Sequence, residues 1–191
     1  MVNGGANQTE AGMARITLVT GGARSGKSAL AEALACRHPG PRHYIATAAR
    51  WPGDAEMAAR IADHEAARAG AGWLTAEAPR DLPAALAATE GEGVRLVDCL
   101  TLWLAQCDVG AEDAAAAALL AALAATRAPV VLVTNEIGLG LVPMDGAARA
   151  FRDRHGRLNQ RVAALADDVW MAVCGLPLCL KSNGKPAHAP L

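Results

Sequence analysis

The chain has 191 residues, 18 basic and 19 acidic side chains, and a formal charge of -1, so it lacks the basic excess of a general nucleic-acid binder. Its length suits one α/β domain, which can bury roughly 70% of the unfolded surface without a metal or disulfide staple. Hydrophobic residues make up 52% but aromatics only 3%, so the expected core is of small aliphatics, with helices packed close on a sheet.

Residues 1–14 carry neither a basic n-region nor an apolar h-region, and read as a flexible leader before a single domain over 15–181. The domain opens with a strand at Ile16–Thr20. Glycine-rich residues 21–28 lead into a helix near 27–37, and a strand follows at His43–Thr47. Helices are expected near 54–69 and 80–90, with a strand at Val94–Cys99 between the second and an alanine-rich helix near 111–127. Strands at Val130–Thr134 and Val169–Cys174 flank a helix near 144–166. Polar, proline-bearing residues 182–191 read as a flexible tail. Near-continuous apolar strands alternating with helices imply right-handed crossovers, a mostly parallel sheet, and helices on both faces. The longest apolar stretch, Ala114–Ala125, is about a dozen residues, short of the roughly 20 that cross a bilayer. No membrane insertion is expected, and the expected location is the cytoplasm.

Five cysteines, Cys36, Cys99, Cys107, Cys174 and Cys179, are odd in number and form no CxxC pair. They read as buried thiols in a reducing compartment rather than a zinc or disulfide framework.

The first strand runs into Gly21-Gly22-Ala23-Arg24-Ser25-Gly26-Lys27-Ser28 and then a helix. This is GxxxxGK[ST] in its required strand–loop–helix context. Glycines let successive N–H groups converge on one anion, and the helix N-terminus adds partial positive charge. Lys27 supplies a cation for the β- and γ-phosphates, and the Ser28 hydroxyl suits a Mg²⁺ shell. The motif specifies a nucleoside triphosphate but not its base. A carboxylate at a neighbouring strand end is also required. Asp98 is favoured in that role; for Glu136 function and an ordinary loop acid are balanced. Both fall at the carboxyl edge, where open α/β sheets bind ligands.

Met57, Ile61 and His64 share one face of the 54–69 helix. From spacing alone His64 reads as a half-buried core histidine. His38, His43, His155 and His188 show no constellation around them.

The blocks TGGARSGKS, YIAT, DAEMAARIADHEAAR, WLTAEAP, LVDCLTLWL, VLVTNEIGLGLVP and FRDRHGRLNQRVAALADDVWMAVCGLPLCLK resemble one family in order over about residues 16–181. That family is the bifunctional adenosylcobinamide kinase / adenosylcobinamide-phosphate guanylyltransferase of cobalamin biosynthesis. The resemblance implies a RecA-like P-loop NTPase fold and two reactions. The first is phosphorylation of adenosylcobinamide by ATP or GTP. The second is transfer of GMP from GTP to that phosphate through a guanylyl-histidine at the position of His64. It further implies nucleotide contacts from the 21–28 loop, from Ala46, Thr47 and Ala48, from Glu65, Ala66, Ala67 and Arg68, and from Glu77 and Asp98. Mg²⁺ would be held by Ser28 and Asp98, and a homo-oligomer, such as a trimer, is implied. From the residues themselves, Arg68 reads equally as a solvated helix-end cation and Glu77 as an exposed loop acid. Trp51, Trp73 and Trp103 are candidates to stack on a base or the corrin, although Trp103 and Trp170 read more simply as core. Gly53 and Gly70-Ala71-Gly72 are candidate hinges for the histidine helix. The competing functions are a single-activity P-loop kinase of a small metabolite, and a RecA-like nucleotide switch.

Overall fold

The computed structural model describes residues 15–50, 52–91 and 93–187. Trp51, His188 and the whole of the expected leader lie outside them. In chain order the elements are β1 (Ile16–Gly21), α1 (Lys27–Ala35), β2 (Arg42–Ala46), α2 (Ala55–Arg68), β3 (Trp73–Glu77), α3 (Leu82–Ala88), β4 (Val94–Asp98), α4 (Leu100–Gln106), α5 (Glu112–Ala125), β5 (Val130–Val133), a 3-10 turn at Ile137–Leu139, α6 (Gly146–Leu165), β6 (Asp168–Val173), β7 (Leu176–Ser182) and β8 (Lys185–Pro186).

The strands form one 8-stranded sheet in the order β3-β2-β4-β5-β1-β6-β7-β8. Pairings from β3 to β6 are parallel, while β6–β7 and β7–β8 are antiparallel. The expected strands are therefore present, covered on both faces. Ile16, Leu18, Val97, Val130 and Leu132 point into the larger core with α3, α4, α5 and α6. Alternate residues Val19, Leu96, Val131 and Val133 meet α1 through Ala31, Leu34 and Ala35. Small alanines let α1 sit close on the sheet, as the low aromatic content requires.

Four strands and helices exceed the sequence reading: β3, α4, β7 and β8. β3 was not expected, because WLTAE is short and mostly exposed. α4 was not expected, because its seven residues are nearly all apolar and carry no helical period. The expected tail is also corrected in part. Ser182 ends β7, and Lys185 and Pro186 pair with Ser182 and Lys181 across a turn in which Asn183 has φ 50 and Gly184 φ 74. Asn-Gly is a strong two-residue hairpin signal, and it stood in the sequence.

The cysteines are all free thiols, but the expectation of burial holds only for Cys99; Cys36 and Cys174 are exposed and Cys107 and Cys179 intermediate. Trp103 is fully buried core, its indole N–H donating to Arg80 O at 2.9 Å. Arg95, inside β4, is 1% exposed. Its Nη1 and Nη2 donate to Leu86 O, Ala128 O, Thr126 and Glu90, while its Nε has no partner. Among the described residues no helix is long and apolar enough to cross a membrane.

Candidate active site

The glycine loop joins β1 to α1. A Cβ on Gly21 would lie 2.5 Å from Ser25 Oγ and 2.7 Å from Ala172 O, so only glycine fits. Gly26 has φ +91, and a Cβ there would meet Gly175 Cα at 3.2 Å. The loop is braced from that side, since Gly175 N–H donates to Ser25 O at 3.0 Å. Gly26 caps α1 without any side-chain acceptor, whereas Asp54, Asp81 and Asp145 cap α2, α3 and α6. The N–H groups of the first turn of α1 are thus free of a competing side-chain cap, as anion binding demands.

An open cavity of about 300 Å³ lies over this loop at the carboxyl edge of the sheet. Ala23, Lys27 and Ser28 form its floor, with Asp98 from the end of β4 and Asn135 beyond β5. Ala46 ends β2, Ala48 follows it, and Glu77 ends β3. The wall is α2, whose Met57, Ile61, His64, Glu65 and Arg68 all face the same space. His64 is therefore not a core histidine. The helical face recognised in the sequence packs over a ligand-sized space rather than over the sheet.

Other expected contacts fall outside the lining. Gly21, Gly22, Arg24, Ser25 and Gly26 shape the loop from behind or beside it. Thr47 is buried and its hydroxyl donates to Cys99 O at 2.8 Å. Ala66 is exposed on α2, and Ala67 belongs to the same helix. Glu136 accepts a hydrogen bond from Thr20 Oγ1 at 2.6 Å and is tied through its N–H to Gly21 O. It thus braces β5 against the phosphate-loop strand rather than lining the cavity.

The charges are arranged unevenly. Arg68 is 7% exposed, not a solvated cation. Its guanidinium carbon lies 3.4 Å from the Tyr44 ring centroid, and its Nε and Nη1 have no hydrogen-bond partner; the nearest carboxylate, Glu32, is 3.8 Å away. Buried N–H donors without acceptors are costly, and an anion in the cavity would satisfy them. Tyr44 donates to Asp98 Oδ2 at 2.8 Å. Burial and the neighbouring Asp98 raise the phenol's pKa, so it stays a donor. Burial, with Asp98 second, pushes the Cys99 thiol up to about 11, which leaves it an inert neutral wall. Arg50 bridges Glu65 on α2 and Glu77 on β3.

Ser28 and Asp98 bring two hard oxygen donors to one cavity beside Lys27. Among the described residues no cluster of three or more His, Cys, Asp or Glu could hold a metal alone. That donor set fits Mg²⁺, which binds through one or two protein oxygens and completes its shell with phosphates and water.

Tyr44, Arg50, Arg60, Thr75, Leu102 and Asn135 also line the cavity and escaped the sequence reading. Asn135 was the findable one, since it follows directly on the expected strand Val130–Thr134, whereas Tyr44 lies in the middle of β2.

The family model for cobinamide kinase / cobinamide phosphate guanyltransferase matches residues 17–180. The chain is 46% identical over 172 residues to the bifunctional adenosylcobalamin biosynthesis protein CobP of Pseudomonas aeruginosa, covering 87% of this chain and 97% of that one. It is 43% identical over 182 residues to CobU of Salmonella typhimurium, named likewise, covering 86% and 98%. Among solved structures, the flagellar accessory protein FlaH of Methanocaldococcus jannaschii aligns with a TM-score of 0.51 at 13% identity, over 93% of this chain and 84% of that one. That likeness shows the P-loop NTPase fold alone.

Proposed function

Since the chain belongs to the cobinamide kinase / cobinamide phosphate guanyltransferase family, whose members are bifunctional transferases, we propose that it phosphorylates adenosylcobinamide and then guanylylates the product through His64. The observation that carries this reading is the placement of His64 on the wall of the cavity whose floor is Lys27 and Ser28.

In the first reaction the hydroxyl oxygen of adenosylcobinamide attacks the γ-phosphorus of ATP or GTP. The bond to the bridging oxygen breaks, the nucleoside diphosphate leaves, and the hydroxyl proton is released. The loop N–H groups, the N-terminus of α1 and Lys27 stabilise the charge on the phosphates, which is the main need of phosphoryl transfer. Mg²⁺ held by Ser28 and Asp98 would supply further charge neutralisation.

In the second reaction an unprotonated ring nitrogen of His64 attacks the α-phosphorus of GTP. A nitrogen–phosphorus bond forms, the bond to the β-phosphate oxygen breaks, and pyrophosphate leaves. A phosphate oxygen of adenosylcobinamide phosphate then attacks the same phosphorus. The nitrogen–phosphorus bond breaks and adenosylcobinamide-GDP forms, freeing the histidine. Splitting the transfer in this way replaces one hard step by two easier ones. Arg68, four residues beyond His64 and so on the same helical face, supports the reading because its unpaired N–H groups suit a phosphate. Glu77, with a carboxylate that can accept from a guanine edge, and the cavity residues Ala46, Ala48, Glu65 and Asp98 complete the proposed nucleotide contacts.

The test is intact-protein mass spectrometry after incubation with GTP and Mg²⁺. The protein should gain one GMP, mapped to His64, with label retained from the α-phosphate and not from the γ-phosphate. His64→Ala should lose the adduct and the guanylyl transfer while keeping most of the kinase activity. An adduct that persists in that variant refutes the assigned nucleophile.

A further inference from the structure

His155 does have partners, although the sequence showed none. It lies on α6, 1% exposed. Its Nε2 is 2.9 Å from Thr101 Oγ1 and 3.1 Å from Thr134 Oγ1. One turn on, Asn159 Nδ2 donates to Asn135 O at 3.0 Å, which fixes that amide and leaves its Oδ1 to accept from Thr134 Oγ1 at 2.8 Å. The single proton of Thr134 is thereby spent. Thr101 Oγ1 accepts from the backbone N–H of Asn135 at 3.1 Å and from its Nδ2 at 3.0 Å. The Thr101 hydroxyl proton can then pass to the bare Nε2 of His155 at 2.9 Å, with the Cys99 thiol as its other neighbour. The chain of donors runs from Asn135 Nδ2 to Thr101 to His155 when His155 carries its proton on Nδ1.

We propose that His155 is a positioning residue for the kinase step: through Thr101 it holds the Asn135 amide so that Oδ1 serves the phosphate site as a hydrogen-bond acceptor for the alcohol that receives the phosphoryl group. Asn135 lines the cavity beside Lys27, Ser28 and Asp98, and its Nδ2 is engaged away from a ligand. The group left to it is an oxygen. An oxygen acceptor is repelled by phosphate oxygens and is matched by an O–H donor, which the alcohol provides. Orienting that hydroxyl is worth rate rather than nucleotide affinity. With a proton on Nε2 instead, the ring donates to Thr134 Oγ1, and Thr101 loses His155 as the acceptor that fixes the direction of its hydroxyl. Burial favours the neutral ring and lowers its pKa, so one of its two nitrogens is bare.

The inference rests on the kinase half of the reading above. The test compares adenosylcobinamide phosphorylation with guanylylation of the protein in the same preparations. His155→Phe and Thr101→Val should lower kinase kcat at least ten-fold, leave the KM for ATP within about two-fold, and leave adduct formation from GTP within about two-fold. His155→Gln and Thr101→Ser, which keep an acceptor and a hydroxyl, should restore most of the rate. On the wild-type protein, ¹⁵N NMR of the histidine rings should show His155 as the Nδ1–H tautomer, a measurement that needs no variant to fold. An Nε2–H tautomer, an unchanged kcat in both disruptive variants, or an equal loss of both activities overturns the proposal. Wild-type protein that neither phosphorylates adenosylcobinamide nor takes up GMP overturns the functional reading instead, while the tautomer still decides the relay.

Discussion

Arg68 stands one turn beyond His64 on α2, stacked on Tyr44 with two N–H positions unpaired. The guanidinium itself covers the ring while its Nε and Nη1 stay unpaired, so stacking and anion binding reside in one group. Arg68→Met keeps an apolar stem and removes both the donors and the cation–π contact. Nucleotide affinity should fall about ten-fold, equivalent to about 1.4 kcal/mol, and the melting temperature by about 2–4 °C for each kcal/mol of lost stacking; titration of GTP by calorimetry reads the first and a thermal scan the second. His155 makes the opposite kind of prediction, on stability. Burial lowers its pKa from 6.5 to about 4 in the folded chain. The unfolded state thus binds the proton more readily. The neutral ring's contribution is complete above pH 6.5 and is lost as the pH falls through about 4, by up to about 3 kcal/mol. Urea titrations of the wild type and His155→Gln from pH 7 to pH 4 should converge as the pH falls.

At the scale of elements, the site is made where strands end and helices begin. The uncapped N-terminus of α1 serves an anion, and Gly26 permits the approach because its φ is +91 and the β6–β7 turn lies directly against it. Gly26→Ala would strain both the backbone and that contact. It should cost about 1 kcal/mol or more of stability and remove most nucleotide binding, read by equilibrium dialysis with GTP. The α2 wall behaves differently. It has an Asp54 cap and Arg50 ties to Glu65, yet most of its residues are exposed. Its glycine flanks, Gly53 and Gly70, have open space around them. Elements with few buried contacts are those that move at low cost, so crystals grown with and without GTP should differ in the placement of α2 more than in that of α1.

For the whole molecule, the order of strands decides which groups meet. β5 lies between β1 and β4, so Asp98 reaches the cavity from one strand beyond the phosphate loop's neighbour. Asn135 and Glu136 fall between them, at the edge. The antiparallel addition of β7 and β8 closes the far side. There Arg15 pairs with Asp168, Gly184 N–H donates to Asp167 O, and Lys181 donates to three carbonyls at the end of α6. A chain stopped after Lys181 loses the Asn183-Gly184 turn and the β8 pairing. Its melting temperature should fall by about 2–4 °C for each kcal/mol lost, with GTP affinity per folded molecule unchanged; scanning calorimetry with and without GTP separates the two effects.

The strand–glycine loop–helix context of residues 16–37, the alternation of apolar strands with helices, and the position of Asp98 at a strand end were legible from local pattern, because backbone propensity and phosphate chemistry are written in adjacent residues. The Asn183-Gly184 turn carried a local signal as well, the positive φ that those residue types accept, but the sequence reading takes 182–191 for a flexible tail. The partners of His155, Arg68 and Arg95 were not legible. Their environments are assembled by residues 5 to 54 positions away in sequence, and a single chain read in order carries no signal for most of these pairings. Whether a charged or titratable side chain faces water, a core or a ligand is settled by what the sheet order brings against it. For His64, periodicity could name the helical face, but only the packing of α2 over the phosphate loop turned that face from a core stripe into the wall of a cavity.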